Sequence, residues 1–166
     1  VAMITGASRG QGEAEARLFA SEGAKVLVCD ILDDEGSAVA RSICDEGYSA
    51  IYQHLDVSSE RDWKTALNIA ENKYGGLNIL INNAGIGLRK PSMLDISMTE
   101  WQKVIDINLT GPFLGTKASA PLMRDSGGGS IVNIGSIAGT TGHFATAYTT
   151  TKWGIRGLTK SSAMEF

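Results

Sequence analysis

Tyr148 and Lys152 stand four residues apart, the spacing that places two side chains on one face of a helix, one turn from each other. An ammonium beside a phenol stabilises the phenolate, so such a pair can give and take a proton. Tyr followed by Lys at this distance also occurs on any solvated surface helix, and the pair gains meaning from its company. Ser136 stands twelve residues upstream of Tyr148, within "SIVNIGS", and the chain opens with the glycine-rich stretch "TGASRGQG". A hydroxyl, a phenol, an ammonium and a phosphate-binding loop, in that context, describe proton handling next to a nucleotide.

The segments that must position these groups alternate between strand and helix. "VAMIT" is an apolar run already under way at the first residue, and "GASRGQG" follows as a loop. Ala14, Leu18 and neighbouring Ala and Phe residues then recur at helical spacing through Ala20. "KVLVCD" is a continuous apolar run suited to a parallel strand covered on both faces. Gly36, Val39, Ala40, Ile43, Cys44 and Gly47 trace a helical stripe, "SAIYQHLDV" a third strand, and Trp63, Ala66, Leu67, Ala70 and Tyr74 the next stripe. "LNILINNAG" is the fourth strand and its exit. A looser segment from Ile86 to Ser97 holds Pro91, and the helix after it places Trp101, Val104, Ile105 and Asn108 on one face, with Asn108 polar where the stripe predicts an apolar residue. The triple glycine Gly127 to Gly129 stops that helix. "SIVNIG" is the fifth strand, and a last helix from about Ala147 carries Ile155, Leu158 and Ser162 along one side. Such alternation implies an α/β fold: one Rossmann-type, doubly wound parallel sheet with helices on both faces and a ligand crevice at the carboxyl ends of the strands.

The loop between the first strand and first helix is where a dinucleotide would bind. Gly6, Gly10 and Gly12 let the backbone turn tightly and approach a pyrophosphate at the positive helix end. The second strand ends at Asp30, eighteen residues after Gly12, where a carboxylate accepts hydrogen bonds from the adenosine ribose and repels a 2'-phosphate. Arg9 argues the other way, since a guanidinium in the loop can pair with that phosphate. Asp30 occupies the more discriminating position, and NAD is expected in preference to NADP.

Composition narrows the remaining classes. The 166 residues are 43% hydrophobic and 20% charged, ordinary for one globular domain with a substantial core. A net charge of -3 and the lack of a long basic run argue against nucleic acid as a partner. Cys29 and Cys44 have no CxxC or metal-type spacing and are expected to be small buried hydrophobes in a reducing compartment. His54 and His143 lack partners at metal-ligand spacing. No metal site and no catalytic histidine are expected. No apolar run approaches membrane-spanning length, and the expectation is a soluble, cytoplasmic protein without membrane partners.

These motifs, in this order, resemble the short-chain dehydrogenases/reductases end to end. The family's Thr-Gly-x-x-x-Gly-x-Gly loop matches Thr5 to Gly12, its adenine-pocket Asp matches Asp56 with Val57, and Asn-Asn-Ala-Gly matches Asn82 to Gly85. Asn108 matches the catalytic Asn, Ser136 the catalytic Ser, and Tyr148 with Lys152 the Tyr-x-x-x-Lys pair. The resemblance implies that Gly6, Ser8, Arg9, Gln11, Gly12, Asp30, Ile31, Asp56, Val57, Asn83, Ala84, Gly85, Tyr148 and Lys152 hold the cofactor. It also implies a homodimer or homotetramer. "YQHLDV", "DINLTG", "GGGSIVNI" and "KWGIRGLTK" look in addition like bacterial NAD-dependent hydroxysteroid dehydrogenases of the 3-alpha/20-beta type, which implies a secondary alcohol or ketone as substrate. Two departures stand out: Gln11 where the family has an apolar residue, and "YTTTK" in place of the common Ala-Ser before the lysine. Neither removes a reacting group.

On this resemblance Tyr148, as phenolate, takes the proton of an alcohol whose hydride passes to the nicotinamide. A free phenol titrates at about pH 10, so Lys152 and the cationic nicotinamide must stabilise the charged form. Lys152 also holds the nicotinamide ribose, Ser136 hydrogen-bonds the substrate oxygen, and Asn108 holds a water linking Lys152 to solvent. "GHFATA", with Phe144 as an apolar wall, and Ile86 to Leu94 can line the substrate cleft. A cofactor-binding sensor or scaffold without turnover is the competing class, and a reductase of another bond, such as an activated alkene, the third. Family members continue past this length with further strands, so "SIVNIG" is expected to be an open sheet edge in a piece of a longer polypeptide.

Overall fold

The computed structural model describes residues 1–88 and 92–166. Its strands β1 (Ala2–Thr5), β2 (Val26–Asp30), β3 (Ala50–His54), β4 (Ile79–Asn82) and β5 (Ser130–Asn133) form one parallel sheet in the order β3-β2-β1-β4-β5. The helices are α1 (Gly10–Ser21), α2 (Asp33–Asp45), α3 (Glu60–Tyr74), α4 (Met98–Ile105), α5 (Gly111–Asp125) and α6 (Thr146–Glu165). The strand order reverses between β1 and β4, and a crevice opens at the carboxyl ends of strands at such a reversal.

Every residue of β1 and β2 is buried, as the unbroken apolar runs require of central strands covered on both faces. The period of two then sorts neighbours to opposite cores. Met3, Leu27, Cys29 and Leu80 pack with Trp63 and Leu67 of α3 and Leu114 and Met123 of α5. Ile4, Val26, Val28 and Ile81 pack with Ala16 and Ala20 of α1 and Val39, Ala40 and Ile43 of α2. The edge strands β3 and β5 are only partly covered.

Local chemistry fixes the helix ends. Ser59 caps α3 by accepting from the Asp62 amide, and Gly75 ends it in the left-handed region at φ 85°. Ser97 and Glu100 form a reciprocal capping box on α4. Gly127 and Gly128, at φ 93° and 99°, turn the chain after α5, as the triple glycine predicts.

Three expectations need correction. In α1 the buried side is Gly12, Ala16 and Ala20, while Ala14 and Leu18 face solvent. Both sets recur every four residues, so spacing alone fits either face, and the tight approach of α1 to the sheet selects the smaller set. The α2 stripe stops at Ile43: Cys44 is exposed in the last helical turn, with its thiol donating to the Ala50 carbonyl at 3.2 Å, and Gly47 lies in the turn beyond. Cys29 is fully buried as expected, and burial pushes its thiol pKa up. The third strand ends at His54, before "LDV". Of the looser segment, Pro91 lies outside the described residues, and Met93–Asp95 forms a single 3-10 turn. Among the described residues no helix is long and apolar enough to cross a membrane.

Between α4 and α5 the helix widens into a π turn over Asp106–Thr110, where the Gly111 N–H donates to the Asp106 carbonyl five residues back. Pro112 is its local cause. An α-helix would give the Asn108 carbonyl a bond from residue 112, but proline has no N–H and its ring crowds that carbonyl.

Candidate functional site

At the carboxyl end of β1 the chain turns through Gly6, at φ 65°, into α1. The Ala7 amide donates to the Cys29 carbonyl at 3.1 Å, and the Ser8 amide to Asp30 Oδ2 at 3.0 Å. Asp30 Oδ1 accepts the amides of Ile31 and Leu32 at 2.7 and 3.2 Å. The nearly buried Asp30 therefore shapes both the glycine loop and the β2–α2 turn, while Ile31 remains 58% exposed beside it. A carboxylate offers about four lone-pair sites, which leaves room for one further donor.

The loop fits a pyrophosphate. Arg9 precedes α1 in an extended conformation and gives it no side-chain cap, so the first helical amides, at Gly10, Gln11 and Gly12, are available to an anion. A Cβ on Gly10 would meet nothing within 4 Å, leaving an open approach. Gly12 serves the opposite purpose: a Cβ there would lie 2.3 Å from the Gly6 carbonyl oxygen and 2.5 Å from Asn83 Nδ2.

Asn83 to Gly85 lock against this loop. Asn83 Nδ2 donates to the Thr5 and Gly6 carbonyls at 2.8 and 3.1 Å, and the amides of Asn83 and Ala84 both donate to Thr5 Oγ1. Gly85 is exposed on the crevice side of this lock. A polar line continues across the sheet from Asn82 Nδ2 to Asn133 Oδ1 and from Asn133 Nδ2 to Thr159 Oγ1 of α6, at 2.8 and 2.9 Å. Asp56 accepts from the amide and hydroxyl of Ser58, and the Val57 carbonyl accepts from the buried Trp63 indole at 2.9 Å.

Past the end of β5 the segment that carries Ser136 packs against α6, which carries Tyr148 and Lys152. Ser136 caps a 3-10 turn over Ile137–Gly139, its Oγ accepting from the Ala138 amide at 3.1 Å, which leaves the hydroxyl proton to be donated. That turn rests on α6 beside Lys152: a Cβ on Gly139 would stand 2.5 Å from the Lys152 carbonyl oxygen, and Arg156 Nη1 donates to the Gly139 carbonyl at 2.9 Å. Gly139 was not among the expected site residues, and only its packing reveals it. Lys152 is buried, donates to the Ile134 carbonyl at 2.6 Å, and holds its ammonium 5.5 Å from the Tyr148 ring centre. Burial lowers the Lys152 pKa from its ordinary value.

Asn108, 1% exposed, links the segment after β4 to α6. Its Oδ1 accepts the Ile86 amide and its Nδ2 donates to the Ile86 carbonyl, both at 2.8 Å, with a longer contact to Thr151 Oγ1 at 3.4 Å. Thr151 in turn donates to the Tyr148 carbonyl at 2.7 Å. The side chain thus fixes the β4 exit to α6, and a water acceptor at this residue would be its backbone carbonyl, which Pro112 cannot engage. Asn108→Leu is expected to strand the Ile86 amide and carbonyl at a cost of about 1–3 kcal/mol. Denaturant melts of the full-length protein check this, and unchanged stability would show the pairing to be dispensable.

A cavity of about 390 Å³ between α3 and α5, floored by Trp63, Leu67 and Leu114, holds none of these residues. Among the described residues no group of His, Cys, Asp or Glu could hold a metal ion.

Residues 1–166 match the family model described as short chain dehydrogenase. The chain is 48% identical over 166 residues to a 3-alpha-(or 20-beta)-hydroxysteroid dehydrogenase of Mycobacterium tuberculosis, covering 99% of this chain and 62% of that protein. It is 45% identical over 172 residues to the trans-4-hydroxycyclohexanecarboxylate dehydrogenase of Sinomonas cyclohexanicum, covering 99% of this chain and 66% of the relative. Among solved structures, a gluconate 5-dehydrogenase from Burkholderia cenocepacia J2315 in complex with NADP and tartrate superposes with a TM-score of 0.93 at 32% identity, covering 99% of this chain and 65% of that one. The chain thus spans about two thirds of the length of these relatives. The chain belongs to the short-chain dehydrogenase family.

Proposed function

We propose that the protein carrying this chain is an NAD-dependent dehydrogenase that moves a hydride between its cofactor and a secondary alcohol or ketone. The observation that carries the reading is a buried Lys152 whose ammonium lies 5.5 Å from the Tyr148 ring centre, on the helix against which the Ser136 turn packs. The bound nicotinamide would accept or return the hydride. Tyr148 takes the alcohol proton in oxidation and returns it in reduction, Lys152 supplies the positive charge that favours the phenolate, and Ser136 donates a hydrogen bond to the substrate oxygen. A hydroxysteroid or a cyclic alcohol is the substrate class that the two named relatives suggest. The exposed Ile137 and Phe144 flank the catalytic serine and tyrosine in sequence and suit an apolar ring.

NAD is preferred in this reading because Asp30 closes the end of β2 with a negative charge, even though the gluconate 5-dehydrogenase was solved with NADP. Asp30→Asn keeps an acceptor for the Ser8 amide and removes the charge. It is expected to tighten NADP binding about tenfold, the order of one unit charge acting at partly screened range. Cofactor absorbance in the full-length protein, against secondary alcohols, ketones and steroids with each dinucleotide, tests the whole reading. No turnover with any of them would favour the sensor or scaffold class, and wild-type preference for NADP would sink the cofactor assignment.

A further inference from the structure

A second carboxylate follows Asp30 three residues on and is linked to its backbone through Tyr52. Asp33 is the first residue of α2, and its Oδ1 lies 2.6 Å from the Tyr52 hydroxyl and 2.7 Å from His54 Nδ1. The same Tyr52 hydroxyl lies 2.7 Å from the Asp30 carbonyl oxygen, and His54 is the register partner of Asp30 on β3. Tyr52 cannot drift: a Cβ on Gly36 would stand 2.2 Å from its ring and 2.8 Å from Ser8 Oγ, so ring, α2 and phosphate loop are in close contact. The phenol therefore bridges the backbone of the ribose-facing Asp30 to the side chain of Asp33.

An acid in the first turn of a helix is ordinary, and Asp34 and Glu35 follow as examples. Asp33 differs in having two dedicated side-chain partners on a neighbouring strand. Asp33 is charged at neutral pH as any exposed aspartate is, and the Tyr52 hydroxyl first, and His54 after it, hold its carboxyl below the usual range. The groups facing His54 are Asp33 and, at 4.0 Å from Nε2, Asp62, which Arg61 also pairs with.

We propose that Asp33 is a second specificity-determining residue for the cofactor, its charge fixed by Tyr52 and His54 so that it acts with Asp30 against a phosphate on the adenosine ribose. The proposal rests on the NAD reading above. Asp33 acts through space by its charge and is no part of the catalytic set.

The test uses the full-length protein and dissociation constants for NAD and NADP, at about 0.02 M and about 0.5 M salt, where screening shortens to a few ångströms. Asp33→Asn keeps the shape and the acceptor for Tyr52. It is expected to tighten NADP about fivefold at low salt, with NAD within about twofold and the gain shrinking at high salt, as for a partly screened charge. Asp33→Ser, which cannot mimic the carboxylate's reach, should move the ratio the same way and guards against a fault peculiar to one variant. An unchanged NADP-to-NAD ratio in both variants, or equal weakening of both cofactors with lowered melting temperature, overturns the proposal and leaves Asp33 a purely structural residue. A wild-type protein that prefers NADP defeats the NAD reading instead, and there an unchanged ratio in the variants still overturns the role of Asp33, while a raised NADP affinity still supports it.

Discussion

Tyr148→Phe should lower turnover by about 10²–10⁴-fold, the range for loss of a positioned acid or base, while NADH binds as before. The separation of binding from chemistry follows from the surroundings of the ring. Lys152 is held by the Ile134 carbonyl, and Thr151 by the Tyr148 carbonyl, so neither anchor uses the phenolic oxygen. Among the described residues the Tyr148 hydroxyl itself takes part in no hydrogen bond. Removing it breaks nothing in the fold and keeps the ring that the ammonium approaches. Single-turnover kinetics with fluorescence titration of NADH in the full-length protein measure the two quantities. Turnover within a few-fold of wild type would remove Tyr148 from the mechanism, and a parallel loss of NADH affinity would mean the site had been distorted.

Gly12→Ala should cripple the same protein by a different route. The added methyl would stand 2.3 Å from the Gly6 carbonyl oxygen, 2.5 Å from Asn83 Nδ2 and 2.9 Å from Ala7 Cα. Two of those three atoms are backbone and the third is tied to Thr5 and Gly6, so nothing flexible can yield. Overpacking of this kind costs about 1–3 kcal/mol or more, and α1 must move off the sheet, taking its first amides from the phosphate position. Loss of dinucleotide binding together with a lowered melting temperature is the expected result. Gly10→Ala is a control for folding stability alone: its methyl meets no protein atom within 4 Å, and within the fold only the left-handed backbone at φ 60° resists, at about 1–2 kcal/mol. If Gly12→Ala bound the cofactor and melted like wild type, the close approach of α1 would not be needed.

The strands, their order of appearance and the approach of Lys152 to Tyr148 are legible because each rests on local chemistry: unbroken apolar runs, glycine at turns, and a four-residue helical spacing. What escaped is tertiary. The choice between Ala14/Leu18 and Gly12/Ala16/Ala20 as the inner face of α1 depends on how closely the helix must approach Gly6. Cys44 sits in the last turn of α2, past the point where the helix is covered. Asn108 stands out in the sequence as a polar residue on an apolar face, but its pairing with Ile86 depends on a segment far away in sequence. A local signal for the wide turn around it lies in Pro112, four residues on. His54, set aside as no metal ligand, acquires its part only when β3 lies beside β2 and brings it to Asp33.

The surplus residue in the turn at Asp106–Thr110 has a bearing on how this region can vary. An α-helix rotates about 100° per residue, so the turn offsets the angular frame of α5 from that of α4. The first rod-half directs Val104 inward and packs on α6, whereas the second directs Gly111 against Val57 and Gly115 against the Trp63 ring and Asn82. One continuous rod thereby serves two different neighbours. Length variation that a surface loop absorbs without trace is, inside these five positions, a rotation: one residue more or fewer would swing Asn108 away from Ile86 and turn the glycine side of α5 out of its seat.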